Sequence, residues 1–590
     1  MSSALKAWVR AMEMTAAIAR HPTRTLPIVI DELADRFESA PALLSQDGRL
    51  SYRELAEASH RYARWALSEG LRAGDVVGLL MTNCPDYMAI WLGLTRAGVT
   101  VALLNTHLRG EMLAHSIRIV APRRVIFGGA LSDALRTARP YIDASIQCWS
   151  HGPGDLHCPR LDQAIARLPG ESLTQADHPA PSLEDRALYI YTSGTTGPPK
   201  AANVSHFRLM QWSHWFAGML NTKPSDKMYD CLPLYHSVGG VVATGATLVG
   251  GGAVVLRERF SAREFWRDIV EERCTLFQYI GELCRYLLNS PPQRQETQHS
   301  LRVCCGNGLR AEVWEAFQSR FRIPQILEYY AATEGNFSLY NCEGRIGAIG
   351  RIPPYLSHRL PVALVQFDAN TAMPARNQAG YCVRCAPNEV GEALGEIADA
   401  GSADSGRFEG YTDPQASKQK ILRNVFLPAD AWYRTGDLMR RDEQGFFYFV
   451  DRVGDTYRWK GENVSTTEVA AVIMASPGVT DAVVYGVTIP NTDGRAGMAA
   501  LVVDAEFNLE AFRRHVLDRL PAYARPLFLR LVPSIALTGT FKLNRQELAR
   551  EGYDPAVVND ELYFDDRQTQ AYVGLDLALC ARIQSGSTLP

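Results

Sequence analysis

The run Tyr191-Thr-Ser-Gly-Thr-Thr-Gly-Pro-Pro-Lys200 is the strongest local signal for chemistry in the chain. Its hydroxyls come from Thr192, Ser193, Thr195 and Thr196, and its glycines, Gly194 and Gly197, permit close backbone approach and positive φ. Successive N–H groups and hydroxyls in such a loop satisfy phosphate oxygens, and Lys200 adds a mobile positive charge. The spacing is not that of a G-x-x-x-x-G-K-[ST] loop. A polar turn without a ligand is the competing reading, and the density of Ser, Thr and Gly argues against it.

Other chemistry is weaker. Cys382 and Cys385 share a C-x-x-C spacing, but no second pair follows at zinc-ribbon distance. Twelve cysteines scattered over 590 residues read as free thiols of a reducing compartment rather than a disulfide scaffold. The formal net charge of −3 supplies no bulk basic field, which disfavours nucleic acid as the main partner.

The elements that must position the loop alternate in type. A strand at Leu188–Tyr191 runs straight into it. From about residue 30 to 460, helical stretches such as Tyr52–Gly70 alternate with short β-branched runs such as Val76–Leu80 and Val125–Phe127. That alternation predicts an α/β architecture: a large N-terminal domain of layered, largely parallel sheets with helices. After Asp451-Arg-Val-Gly-Asp455 the pattern is a helix (467–476), two strands (481–487 and 499–503) and a helix (509–520). These suffice for a small α+β C-terminal domain. The expected division is 1–450, a hinge at 451–455, and 456–590. Gly401–Gly406 reads as a surface loop, and the tail from Ser585 as frayed.

Hydrophobic residues make up 46% and charged residues 21%, an ordinary globular balance. No secretory signal is visible. Ser237–Leu256 is uncharged and long enough to raise the question of a membrane span. Its six glycines favour a buried helix, a turn and a strand. Within the N-terminal segment 1–29, Leu5, Trp8, Val9, Met12, Ala16 and Ala19 fall at helical spacing on one face. Lys6, Arg10, Glu13 and Arg20 fall on another. This is a helix packed on its own protein or, alternatively, an interfacial membrane helix.

Several motifs in order resemble the adenylate-forming superfamily of acyl-CoA synthetases, firefly luciferases and peptide-synthetase adenylation domains. After Tyr191–Lys200 come Glu328-Tyr-Tyr-Ala-Ala-Thr-Glu334, Tyr433-Arg-Thr-Gly-Asp-Leu438, Asp451-Arg452 and Thr538-Gly-Thr-Phe-Lys542. The resemblance covers about residues 30–580. Arg452–Val469, Leu104–Gly110, Gly306–Arg310 and Glu551–Pro555 are similar to the fatty-acid-transport-protein, or very-long-chain acyl-CoA synthetase, branch. Gly454 departs from the charged residue common in the superfamily but matches that branch.

The resemblance implies an AMP-forming acyl-CoA synthetase using ATP, Mg²⁺ and CoA on a fatty or other apolar carboxylic acid. The loop 192–200 is then assigned to the β- and γ-phosphates, Thr333 to the α-phosphate and Glu334 to Mg²⁺. Tyr330 stacks on adenine, Asp437 accepts from the ribose hydroxyls, and Arg452 supports ribose or phosphate. Lys542 reaches the α-phosphate or carboxylate during adenylation. His236 lines the acyl site, and Gly239 and Gly240 after it leave room for a chain-like substrate. The small domain is mobile about Asp451 and Gly454, and its rotation presents Lys460, Gly461 and Glu462 for thioester formation. Charge builds on phosphoryl oxygens in this chemistry, so positioning and electrostatics carry it.

A bile-acid or sterol-side-chain acid ligase stays open as an alternative. So does a membrane-associated uptake protein that traps fatty acids as CoA esters. The expected location is cytoplasmic, with peripheral attachment at the inner membrane face as the variant reading. Dimers occur in relatives.

Overall fold

A computed structural model describes residues 4–154, 156–174, 178–192, 198–368, 371–398, 406–453, 456–459, 462–490, 492, 494–535 and 545–585. Residues 401–405 of the expected loop Gly401–Gly406 and residues 586–590 of the expected tail from Ser585 lie outside them. The fold is α/β, with a large sheet-rich N-terminal part and a smaller C-terminal part.

The chain divides into two compact units, residues 1–360 with 396–421, and residues 361–395 with 422–590. This partition does not coincide with the expected boundary at 451–455. Val362–Asp368 lies antiparallel to Val390–Glu396, and Ala431–Arg441 lies antiparallel to Phe446–Arg452. These strands, but for Glu396, fall in the second unit with the chain beyond 451.

The first unit holds two sheets. One runs Gln147–His151, Arg124–Gly128, Val76–Leu80, Thr100–Leu103, Arg186–Thr192, Lys200–Ser205, parallel except for the last pair. In the other, Ala253–Leu256, Lys227–Asp230, Leu276–Ile280, Val303–Asn307 and Ile326–Ala331 are parallel neighbours, and Ser338–Asn341 closes antiparallel. The buried helix Pro85–Arg96 provides the crossover between the parallel strands Val76–Leu80 and Thr100–Leu103, and the helix Tyr52–Ser68, capped by Ser51 and Glu54, leads from one sheet to the other. Strands covered on both faces read as near-continuous apolar runs, and Thr100–Leu103 and Ala253–Leu256 are buried at every position.

The uncharged stretch 237–256 folds as a wide helical turn (Ser237–Ala243), a short helix (Thr244–Val249) and the strand Ala253–Leu256. Among the described residues no helix is long and apolar enough to cross a membrane. The first helix spans Ala4–Thr15 and buries Ala7, Trp8 and Ala11. The Trp8 ring meets Trp215 and Tyr340 edge-on at 5.8 and 5.6 Å. The apolar face is thus split: Trp8 is core, whereas Leu5 and Val9 point outward and Ala16 and Ala19 lie beyond the helix.

Within the second unit, residues 457–583 have their own apolar core. Its sheet is ordered Val479–Val487, Ala496–Val503, Phe528–Leu531, Glu561–Asp566, Ala571–Gly574, flanked by the helices Thr466–Met474, Leu509–Arg519 and Leu577–Gln584. All twelve cysteines are free thiols.

Candidate functional site

Strand Arg186–Thr192 is held centrally by alternating Leu188, Tyr189, Ile190 and Tyr191, a composition suited to a buried pleat. It turns back antiparallel into Lys200–Ser205, placing Thr192 opposite Lys200 at the mouth of the loop. Ser193, Gly194, Thr195, Thr196 and Gly197 lie outside the described residues. So do Gly454, Lys460, Gly461 and Lys542; of Glu462 only the backbone is described, paired with Trp459.

The outer edge of Lys200–Ser205 is covered by residues 409–412. Asn203 N–H donates to the Gly410 carbonyl and Thr412 N–H to that of Ala201, and the Asn203 amide donates to the carbonyls of Glu409 and Tyr411. Tyr411 thereby comes opposite Ala202, with the Lys200 ammonium 5.8 Å from its ring centre. Burial, and then the Glu334 charge, raises the pKa of the Tyr411 hydroxyl. The Lys420 ammonium stands 4.0 Å from Glu334 Oε1.

Strand Ile326–Ala331 delivers the aromatic-to-Glu segment. Alternation across the strand sends Tyr329 into the core against Phe216 and leaves Tyr330 half-buried beside Phe337. Thr333 follows, and its hydroxyl lies 3.0 Å from that of Ser237. The Leu-Tyr-His-Ser turn that carries His236 is therefore brought to Thr333. Asn83 fixes that turn: its amide donates to the Leu232 and Arg257 carbonyls, and its carbonyl accepts from Leu234 N–H at 2.9 Å.

A Cβ on Gly239 would sit 2.7 Å from the Pro233 carbonyl oxygen, and one on Gly240 would collide with that of Leu234. The wide helical turn packs on its own preceding loop, and glycine is what allows that approach.

Beneath this rim lie two buried carboxyls. Glu328 accepts from Tyr279 Oη at 2.5 Å and from Leu309 N–H at 3.1 Å, and burial pushes its carboxyl up to about 8. Asp230 accepts from Leu232 N–H at 3.0 Å and from Thr244, and burial pushes it up to about 7.

In the second unit, Asp437 and Arg452 are cross-strand partners, with Arg452 Nε 3.2 Å from Asp437 Oδ1. Gly436 takes φ +74, a left-handed turn open to glycine, and its carbonyl accepts from Val453 N–H. Asp451 is 1% exposed and accepts from Arg452 N–H, from Thr466 N–H at 2.6 Å and from the Thr466 hydroxyl at 2.9 Å. It thus holds the first turn of helix Thr466–Met474, and Arg545 reaches the same group.

Ser237, Tyr411 and Lys420 were not identified from the sequence. Adjacency to His236 was the signal available for Ser237. The Gly-Tyr-Thr-Asp turn around Tyr411 offered no more than a turn composition.

A magnesium ion suits the rim. Mg²⁺ takes one or two protein carboxylates and completes its shell with phosphates and water. Glu334 is such a carboxylate, with 12% of its side chain exposed. Among the described residues no cluster of three or more His, Cys, Asp or Glu could hold a metal alone.

Residues 30–366 match the AMP-binding enzyme family, and residues 468–542 match the AMP-binding enzyme C-terminal domain. Long-chain fatty acid transport protein 1 of Mus musculus is 40% identical over 95% of this chain and 88% of its own length. The medium/long-chain-fatty-acid–CoA ligase FadD6 of Mycobacterium tuberculosis is 39% identical over 95% of this chain and 91% of its own. Among solved structures, the anthranilate CoA ligase AuaEII with anthranoyl-AMP superposes at a TM-score of 0.75 and 20% identity, covering 88% of this chain and 96% of that one. ATP-bound MatB from Rhodopseudomonas palustris gives 0.74 at 22% identity, covering 89% and 98%. At those identities the likeness is one of fold.

Proposed function

The chain belongs to the AMP-binding enzyme family, and from that membership we propose that it is an ATP-dependent, AMP-forming ligase joining long- or very-long-chain fatty acids to CoA. The observation that carries this reading is the pairing of Thr192 with Lys200 at the loop mouth, with Thr333 bonded to the turn bearing His236. The long-chain acid is supported by the relatives named as fatty acid transport protein and fatty-acid–CoA ligase.

In the first half-reaction a carboxylate oxygen of the acid attacks the α-phosphorus of ATP. The bond to the bridging oxygen breaks, and pyrophosphate leaves from the acyl-adenylate. Residues 192–197 and Lys200 hold the β- and γ-phosphates, Thr333 donates to the α-phosphate, and Lys542 approaches the same oxygens. Tyr330 stacks on adenine, and Asp437 with Arg452 serves the ribose. Glu334 would hold Mg²⁺, which when bound neutralises phosphate charge. His236 lines the entry of the acid carboxylate. In the second half-reaction the CoA thiol, losing its proton, attacks the acyl carbon and AMP leaves. Rotation about Asp451 and Gly454 presents Lys460, Gly461 and Glu462 for this step. The separate apolar core of residues 457–583 supports such a rigid moving part. Fatty-acid uptake follows from trapping the acid as its CoA ester. The outward Leu5 and Val9 of the first helix support a peripheral membrane contact.

The test is release of pyrophosphate and AMP from Mg·ATP, with and without CoA, across acids from short to very long chains. CoA-dependent turnover rising to long chains is expected. Silence on every acid would overturn the reading. Lys542→Ala should abolish pyrophosphate release while sparing thioester formation from a supplied acyl-adenylate. Deletion of residues 1–20 should weaken binding to liposomes, and unchanged binding would return that helix to a packing role.

A further inference from the structure

The adenylation reading gives no cysteine a role, yet two of the twelve meet at an edge of the sheet that ends in Lys200–Ser205. Strand Gln147–His151 forms that edge, and residues 158–160 return alongside it. Ser150 is bridged in parallel to Arg160, and Ser150 N–H donates to the Pro159 carbonyl at 3.0 Å. Counting back two residues on each segment, the same register brings Cys148 beside Cys158. Side chains two residues apart share a face, and both cysteines pack against one apolar cluster with Leu135, Ala138 and Ile146. Parallel neighbours lie about 4.8 Å apart, inside the Cα separation that a disulfide spans.

Arg139, Cys148 and Cys158 line one cavity of about 540 Å³, with Leu135, Leu156 and Pro159 as its apolar wall. The Arg139 guanidinium donates to the Ile146 carbonyl at 3.0 Å and stands 3.7 Å from Cys148 Sγ. Cys148 is 8% exposed and Cys158 is half-buried. Burial raises both thiols and the Arg139 charge acts against it, so the pair is protonated at rest with a cation beside it to steady a thiolate. The pairs that lie close in sequence lack this geometry. Cys304 and Cys305 are consecutive on strand Val303–Asn307, buried and facing opposite sides. Cys382 and Cys385 lie on an extended segment bridged at Cys382 and Arg384, where side chains three apart also point opposite ways.

We propose that Cys148 and Cys158 are a redox site: a peroxide entering the cavity beside Arg139 converts the two thiols into a disulfide across the strand edge. Cys158, the more exposed, reacts first. Its sulfur attacks a peroxide oxygen and the O–O bond breaks. The departing hydroxide takes the thiol proton as water, leaving a sulfenic acid. The Cys148 sulfur then attacks the sulfenic sulfur, the S–O bond breaks, and hydroxide leaves with the Cys148 proton as a second water. Two thiols are oxidised and one peroxide is reduced to two waters. The site lies at the opposite edge of the sheet from Lys200–Ser205, so it stands apart from the ligase reading.

The test treats the full chain with hydrogen peroxide, blocks the remaining thiols with N-ethylmaleimide and maps linked peptides by mass spectrometry. One linked pair is expected, Cys148 to Cys158, with two hydrogens lost and both thiols restored by dithiothreitol. Cys158→Ser should abolish the linkage, and Arg139→Met should slow it, because the cation beside the sulfur is gone. A linkage that joins other cysteines instead, a sulfinic acid at Cys158 with Cys148 still free, or a wild-type rate in Arg139→Met would overturn the proposal. Should the variants not fold, the wild-type chain is titrated with phenylarsine oxide, which bridges neighbouring thiols without oxidising them. Joint protection of Cys148 and Cys158 from N-ethylmaleimide is expected there, and protection of one alone or of neither would overturn the pairing.

Discussion

Glu328 and Glu334 bracket one seven-residue segment, yet they belong to different regions of the molecule. Glu328 is 1% exposed, bonded to Tyr279 and the Leu309 N–H, and raised to about 8 by burial. Like Asp230, it is a buried carboxyl on a strand of the parallel sheet, and the two make up the floor of this comparison. Glu334 stands at the rim, with the Lys420 ammonium 4.0 Å from Oε1 and 12% of its side chain exposed. The floor spends carboxyl groups on holding loops and strands together. The rim keeps its carboxylate near water and near cations, where a ligand can reach it. The difference teaches that residue type alone does not mark a catalytic carboxylate; what does is an oxygen that the protein leaves for exchange.

The comparison can be broken at its strongest point first. Glu334→Gln should cut pyrophosphate release by about a hundredfold or more while leaving the unfolding midpoint within a few degrees, since it removes charge from the rim and no packing. Glu328→Ala should act the other way. It strands the Tyr279 hydroxyl and the Leu309 N–H in an apolar interior, at a cost of about 2–4 kcal/mol in denaturant unfolding. An activity loss with unchanged stability there would erase the distinction between floor and rim.

The third prediction concerns pH. Glu328 and Asp230 are raised from 4.5 to about 8 and from 3.8 to about 7, so the folded chain binds more protons than the unfolded one between those limits. Their contribution to stability is therefore full below about pH 4 and is lost as pH rises through 7 to 8. Stability of the first unit should therefore fall progressively between about pH 4 and pH 8, and Glu328→Gln should flatten the slope. The smallest effect is expected at Ser237→Ala, which removes one hydroxyl from Thr333 and should slow pyrophosphate release about fivefold. A wild-type rate would separate the His236 turn from the Thr333 site.

Much of the frame was legible in the chain. Strand Val76–Leu80 was read with the bounds observed, and the helix read at Tyr52–Gly70 spans Tyr52–Ser68. Both carry strong periodicity and clear capping or turn residues. The short helix Leu577–Gln584 and the strands Phe528–Leu531 and Glu561–Asp566 were not read, because runs of four to eight residues are too short for a periodicity to show. The first helix was read as a single apolar face; Trp8 is buried and Leu5 is not, because one neighbouring helix covers only part of the stripe.

The sequence by itself determined the motif residues, their order and the α/β alternation, since turn chemistry, phosphate-binding composition and hydrophobic period are local properties. Only the tertiary structure decided who stands beside whom. Ser237 meets Thr333 across 96 residues of chain, and Tyr411 comes beside the Lys200 ammonium because a strand edge is covered by residues 409–412. Which tyrosine of the 329–330 pair enters the core, and why Gly239 and Gly240 must be small, were likewise settled by packing. Such contacts depend on distances set by the whole sheet, and no local pattern encodes them.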